Sequence, residues 1–191
     1  MTTCNLRAHE AADAEALYAA VRESAAELST WMPWCHPDYA LSEAREWTSS
    51  RQALAEQGLE YSFAIVDTAG TFLGGCGINQ INRVHRFGNL GYWVRTTATG
   101  RGVATSAVVS LADWAFGNTD LVRLEIVCAV ENERSQRVAA RAGATREGVL
   151  RERLSIHGRS HDAVMYGITR GVWRVGEQSS VRTVRVRPGT G

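Results

Sequence analysis

One stretch constrains the fold of this chain more than any other. A strand-like run, Gly91-Tyr92-Trp93-Val94, leads within a few residues into Thr99-Gly100-Arg101-Gly102-Val103-Ala104-Thr105, and an apolar helical pattern follows to Phe116. Two glycines let the backbone approach a ligand closely. A helix start turns unpaired N–H groups and the positive end of its dipole toward whatever sits there. A phosphate group suits such a place. Two familiar phosphate loops fail to match. A P-loop ends in Gly-Lys-Ser/Thr, where this chain has Gly102-Val103-Ala104. A dinucleotide-binding turn needs a third small residue, where Thr105 stands, and here the loop falls at mid-chain after three antiparallel strand candidates. Glycines in an ordinary strand-to-helix turn are the plain alternative.

Hydrophobic period supplies the rest of the frame. Thr3 to Arg7 reads as a short strand. Ala14, Leu17, Tyr18, Val21, Ala25 and Leu28 recur at helical spacing behind Asp13, and Ala44, Trp47, Arg51 and Leu54 mark a second helix capped by Ser42. Strands are expected over Tyr61 to Val66, Phe72 to Ile81 and Phe87 to Val94, then a helix over Thr99 to Phe116. Val122 to Val130 alternates as a half-buried strand does. Asn132 caps a helix that Gly143 ends, and His157-Gly158 joins two last strands, Glu147 to Ile156 and Ser160 to Ile168. This order predicts a mixed α/β fold: about seven mostly antiparallel strands and four helices. A single domain is expected over 1–175 and a mobile tail over 176–191.

Composition excludes several classes. The chain has 191 residues, 45% hydrophobic and 21% charged, with a formal net charge of +1. Those values suit a globular domain of ordinary size and argue against a dedicated nucleic-acid binder, which would carry a basic surplus. No run approaches the ~18 apolar residues of a membrane span, and the N-terminus lacks the apolar core of a secretory signal. No membrane association and a cytoplasmic location are therefore expected, as a monomer or homodimer. The cysteines Cys4, Cys35, Cys76 and Cys128 form no C-x-x-C pair. No metal site is signalled, and reduced, buried thiols are expected.

A third reading of the glycine loop draws on a known family. Thr99-Gly100-Arg101-Gly102-Val103-Ala104 resembles the pyrophosphate loop R/Q-x-x-G-x-G/A of Gcn5-related N-acetyltransferases (GNAT), departing at the first position, where Thr99 replaces Arg or Gln. Its surroundings extend the likeness over about Leu6 to Ile168. They include Leu28-x-x-Trp31-Met32-Pro33-Trp34, Gly91-Tyr92-Trp93-Val94, Arg123-Leu124-Glu125-Ile126, Asn132-x-x-Ser135-x-x-Val138-Ala139-x-x-x-Gly143-Ala144 and Glu147-Gly148-x-Leu150-Arg151. The branch most resembled is that of the RimJ/RimL-type ribosomal-protein alanine and serine N-terminal acetyltransferases. The resemblance implies the GNAT fold, with splayed central strands that accept acetyl-CoA as cosubstrate. It also implies pyrophosphate contacts from Gly100, Arg101, Gly102, Val103, Ala104 and Thr105, and a thioester oriented by the backbone amide of Val94. Asn132 and Ser135 would flank the pantetheine and sulfur. The acceptor would be a protein or peptide N-terminus.

Acetyl transfer to an amine needs an acid for the leaving thiolate and a route for the amine's proton. Many family members place a tyrosine on the helix after the fifth strand; Asn132 to Ala142 contains none, and its only hydroxyl is Ser135. Against a role for Ser135 stands that of a helix residue bonded to its own backbone. Glu125 is the candidate base, among Glu147, Glu152, His157 and Asp162; the plain alternative is a structural carboxylate paired with Arg123. Trp31, Trp34 and Trp93 either wall the acceptor slot or anchor the core. Arg134, Arg137 and Arg141 share a helix face that is solvated or meets the 3′-phosphate of CoA. Three other functions compete: a detoxifying acetyltransferase of a small amine such as an aminoacyl-nucleotide or antibiotic, a non-catalytic acyl-CoA-binding module, and a dinucleotide-binding domain.

Overall fold

A computed structural model describes residues 4–173. In chain order its elements are β1 (Asn5–Ala8), α1 (Ala14–Glu23), α2 (Ala25–Trp31), α3 (Leu41–Glu56), β2 (Tyr61–Val66), β3 (Phe72–Asn82), β4 (Phe87–Val94), α4 (Val103–Asn118), β5 (Arg123–Ala129), α5 (Glu133–Arg141), β6 (Thr145–Ile156) and β7 (Arg159–Thr169). The tail expected over 176–191 lies outside the described residues.

The helix expected from Ala14 to Leu28 is two helices, so the described residues hold five α-helices where four were expected. Ser24 breaks it. Its backbone leaves the helical region at φ −107° and ψ 10°, and its hydroxyl accepts the Thr96 amide at 2.9 Å. A tertiary bond thus outweighs continued helix. The third helix is capped differently from the expectation: Ser42 lies inside it, and the Glu43 carboxylate accepts the Ala40 amide at 2.8 Å. The fourth begins at Val103, after a short 3-10 turn over Thr96–Ala98 and the glycine loop.

The sheet order is β1-β2-β3-β4-β5-β7-β6. All neighbours are antiparallel except β4 and β5, which run parallel. A doubly wound dinucleotide fold, built on parallel strands, does not describe this sheet. One apolar cluster fills the face covered by α4, with Leu90, Leu111, Leu124 and Ile126 fully buried in it; a second, under α1 and α3, holds Leu17, Val21, Ala44 and Phe72. Leu124, Ile126 and Cys128 are buried on one face of β5, as the alternation predicts. All four cysteines are free and buried. His157 and Gly158 both have positive φ, 47° and 76°, the two-residue hairpin geometry expected there.

The parallel pair is short. Only Phe87–Asn89 of β4 register with Arg123–Glu125 of β5. Beyond them the strands part, although β4 stays paired with β3 to Val94 and β5 with β7 to Ala129. Each diverging strand therefore keeps one free hydrogen-bonding edge.

Candidate active site

The gap between β4 and β5 leads into a cavity of ≈ 840 Å³. Leu90, Gly91, Tyr92 and Trp93 line it from one strand and Ile126 to Ala129 from the other, with Asn132 and Ser135 at the start of α5. Amide direction can be read from the ladder. The Arg95 N–H donates to the Leu73 carbonyl at 2.8 Å. Amides alternate in direction along an antiparallel strand, so those of Tyr92 and Val94 point away from β3 into the gap. Val94 stands at the mouth of the gap rather than in the cavity lining.

The glycine loop follows β4 after the turn at Thr96–Ala98, and none of Gly100 to Thr105 is among the cavity's lining residues. Gly100 and Gly102 have φ of 75° and 81°, a region that side chains with a Cβ enter only under strain. An added Cβ at either would meet nothing within 4 Å, so the space in front of the loop is open. Gly102 is the N-cap of α4, and no side chain caps this helix. The amides of Val103, Ala104 and Thr105 therefore have no intrahelical partner and face outward with the dipole. By contrast α5 is closed: the Asn132 side chain accepts the Ser135 amide at 3.0 Å.

Ser135 is the most densely bonded polar group in the gap. Its Oγ lies 2.9 Å from the Tyr92 Oη and 3.1 Å from the Cys128 Sγ. Its carbonyl accepts from the Tyr92 phenol at 3.0 Å. Burial pushes the Tyr92 phenol above its usual value, the neighbouring Cys128 adding to the rise. Burial likewise raises the Cys128 thiol, against a lowering by Ser135. Sequence reasoning missed both partners, because a strand pattern does not say which helix its side chains reach.

At the far end the cavity is walled by Trp31, Trp34, Tyr39, Trp47 and Trp93. Trp34 is 41% exposed and stacks edge-on to Trp93 with ring centroids 6.0 Å apart. Gly75 makes room under that wall, since a Cβ there would come within 2.9 Å of the Trp93 indole nitrogen. Glu43, Glu46 and Glu60 line this end together with Arg51 and Arg153. Glu60 accepts from Arg51 at 2.7 Å and from Ser62 at 2.8 Å. These carboxylates, too, were absent from the expected site; they lie scattered over a helix and a loop end with no motif to flag them.

Glu125, the candidate base, is ion-paired. Arg123 donates to it at 2.8 Å and also grips Glu147 with both terminal nitrogens. Arg123 holds the Glu147 carboxyl below its usual range. This ion triad crosses from β5 to β6, and Glu125 is not among the cavity's lining residues. Glu147, Glu152, His157 and Asp162 do not line it either; His157 bonds to the Ser29 carbonyl at 2.7 Å and Asp162 caps the Glu152 amide at 2.9 Å. On α5, Arg137 pairs with Glu133 at 3.1 Å, while Arg134 and Arg141 are exposed. Among the described residues no group of His, Cys, Asp or Glu is arranged to hold a metal ion, and no helix is long and apolar enough to cross a membrane.

A sheet parted beyond one short parallel pair, followed by an uncapped, glycine-lipped helix start, suits an acyltransferase that takes its acyl group from coenzyme A. The chain belongs to the GNAT acetyltransferases: residues 4–145 match the family described as "Acetyltransferase (GNAT) domain". It is 29% identical over 186 residues to "Putative ribosomal N-acetyltransferase YdaF" of Bacillus subtilis, covering 91% of this chain and 98% of that one. The crystal structure of RimL, a ribosomal α-N-protein acetyltransferase solved with coenzyme A, superposes with a TM-score of 0.81 at 25% identity, covering 88% of this chain and 95% of the other. The microcin C7 self-immunity acetyltransferase MccE, solved with acetyl-CoA and AMP, has the same fold, with a TM-score of 0.81 at 22% identity over 87% of this chain and 92% of its own. The protein is thus an acetyl-CoA-dependent N-acetyltransferase, which removes the non-catalytic and dinucleotide-binding alternatives.

Proposed function

We propose that the acceptor is the α-amine of a protein or peptide N-terminus, acetylated by direct transfer while both substrates are bound. One observation carries the direct-transfer part of this reading. The strand gap, where a thioester fits, and the Trp34–Glu46 vestibule belong to one cavity of ≈ 840 Å³, so amine and thioester can meet without a covalent enzyme intermediate. Cys128, the thiol nearest the gap, is kept protonated by burial and is a poor nucleophile. Glu60 is paired with Arg51 and Glu43 is bonded to the Ala40 amide, so Glu46 is the vestibule carboxylate offered to an entering ammonium. The names of the B. subtilis relative and of RimL point the same way.

In this reading each residue has a task. The amides of Arg101 to Thr105 hold the pyrophosphate, and the free edges of β4 and β5 hold the extended pantetheine as an added strand would. Acetyl-CoA supplies an activated carbonyl. The Val94 amide, aimed into the gap, stabilises charge growing on its oxygen. Ser135 gives its proton to the departing sulfur, and the Asn132 cap fixes the helix turn that carries it. The amine sheds its proton to water in the vestibule. Glu125, held by Arg123, takes no part. Acetyl-CoA and nascent N-termini meet in the cytoplasm, which is where this activity belongs.

A second reading has its own observation. The Trp34–Trp93 pair could stack a nucleobase or an aromatic ring, as an aminoacyl-nucleotide acceptor would require, and MccE was solved with AMP. The two are separated by a turnover panel that measures CoA release and the mass of the product. Its members are peptides beginning with Ser, Ala, Met or Pro, an aminoacyl-adenylate analogue, and amine antibiotics. The chain contains no lysine, so no lysine side chain adds a self-acetylation background. Acetylation of peptide α-amines is expected; turnover confined to the nucleotide or antibiotic members would overturn the peptide reading.

A further inference from the structure

We propose that Tyr92 and Cys128 are positioning residues that aim the Ser135 hydroxyl at the sulfur, Tyr92 also replacing its proton as it leaves. The inference rests on the reading of Ser135 as the acid. An aliphatic hydroxyl is a weak acid, so handing a proton to a thiolate is uphill unless the oxygen is compensated in the same event. The bonds around Ser135 provide that compensation.

Ser135 Oγ has one proton and two lone pairs. The Cys128 thiol lies 3.1 Å away in a bond that either atom can donate; in the arrangement proposed, sulfur donates to one lone pair. The Tyr92 phenol has two acceptors on the same residue, the Ser135 carbonyl at 3.0 Å and Oγ at 2.9 Å. At rest it donates to the carbonyl, which leaves the Ser135 proton free to turn into the gap. When that proton goes, the phenol O–H turns from carbonyl to Oγ without any heavy atom moving. A phenol is a stronger acid than an aliphatic hydroxyl in the same surroundings, so this transfer runs toward the serine oxygen.

The step balances. The amine nitrogen bonds to the acetyl carbon and loses one proton to water. The carbon–sulfur bond breaks with its electron pair on sulfur, and sulfur takes the Ser135 proton. Ser135 takes the Tyr92 proton, and Tyr92 regains one from water. No oxidant, reductant or further reactant is needed. The arrangement also accounts for a helix without tyrosine: the phenol comes from β4, across the gap, and works through serine.

The test is a double-mutant cycle on kcat with the best acceptor from the panel. Tyr92→Phe keeps the ring and removes only the oxygen, so the denaturation midpoint and the KM for acetyl-CoA should stay near wild type. Its kcat should fall about 10-fold, less than the ~100-fold or more of losing an acid outright. Ser135→Ala should fall further, and the double variant should be no slower than Ser135→Ala alone. Independent, multiplying losses, or a wild-type kcat for Tyr92→Phe, would overturn the inference while leaving Ser135 as the acid. A wild-type kcat for Ser135→Ala would instead remove the reading on which it rests. Should Tyr92→Phe lose its folded midpoint, Cys128→Val carries the cycle. It should slow kcat only in the presence of Ser135, and an unchanged kcat there counts against the arrangement.

Discussion

The amide of Thr96 donates to the hydroxyl of Ser24 at 2.9 Å, joining the break between α1 and α2 to the segment that carries the chain from β4 to the glycine loop. Ser24 is 1% exposed. Beside it, Glu23 accepts from the Thr97 amide at 3.1 Å and hydroxyl at 2.9 Å, and pairs with Arg95. The entrance of the glycine loop is thus held by α1 and the break that follows it.

Replacing Ser24 by alanine removes the acceptor and leaves the Thr96 amide without its partner. The expected cost is about 1–3 kcal/mol, read as a lower denaturation midpoint, together with weaker acetyl-CoA binding as the loop entrance loosens. A midpoint equal to wild type would show that the bond does not set the helix break.

Acid should act on the neighbouring pair. Hydrogen bonding from Arg95, ahead of the smaller bonds from Thr97 and despite some desolvation, lowers the Glu23 pKa from 4.5 to about 2. A depressed carboxylate stabilises fully above its unfolded value and loses that contribution as pH falls through the folded one. Glu23→Gln should therefore cost no more than about 1 kcal/mol near neutrality, and its midpoint should converge on wild type between pH 4.5 and 2. A constant difference across that range in a pH series of melts would contradict the pairing.

Gly102 is where a side chain should do the most selective harm. A valine there carries a Cβ into φ 81°, at a strain of about 1–2 kcal/mol, and fills the open space in front of the α4 amides. Gly102→Val should fold with a reduced midpoint and lose most of its acetyl-CoA affinity by calorimetry. Full affinity in the folded variant would move the pyrophosphate elsewhere.

Trp34 tests the acceptor end. At 41% exposure it is far from a fully buried ring, so Trp34→Ala should cost well below the ~3–5 kcal/mol of a core truncation. KM for the amine should rise several-fold more than KM for acetyl-CoA. A large midpoint drop with an unchanged ratio of the two KM values would return the ring to a packing role.

What the sequence disclosed was local. Asn132 as a helix cap, His157-Gly158 as a hairpin turn and the alternation of Leu124, Ile126 and Cys128 depend on neighbours within a few positions, and each is found in place. The break at Ser24 was invisible because its cause lies 72 residues away. Arg123 was the partner expected for a structural Glu125, but Glu147 joins the two only because β7 and β6 fold back beside β5. Tyr92 could be placed on a strand but not aimed at α5. The vestibule carboxylates come from α3 and the end of the loop before β2, and only tertiary packing gathers them.

The short β4–β5 register has a further consequence for how long the folded chain lasts. Three residue pairs are all that hydrogen-bond one half of the sheet to the other, so the amides of Tyr92 and Val94 should exchange with solvent deuterium faster than their neighbours. A pantetheine arm laid between the strands would protect them and bridge the halves. Ligand that binds only the folded state adds about 2.7 kcal/mol when present at 100 times its Kd. Resistance to unfolding and proteolysis would then rise and fall with the concentration of the protein's own acetyl donor.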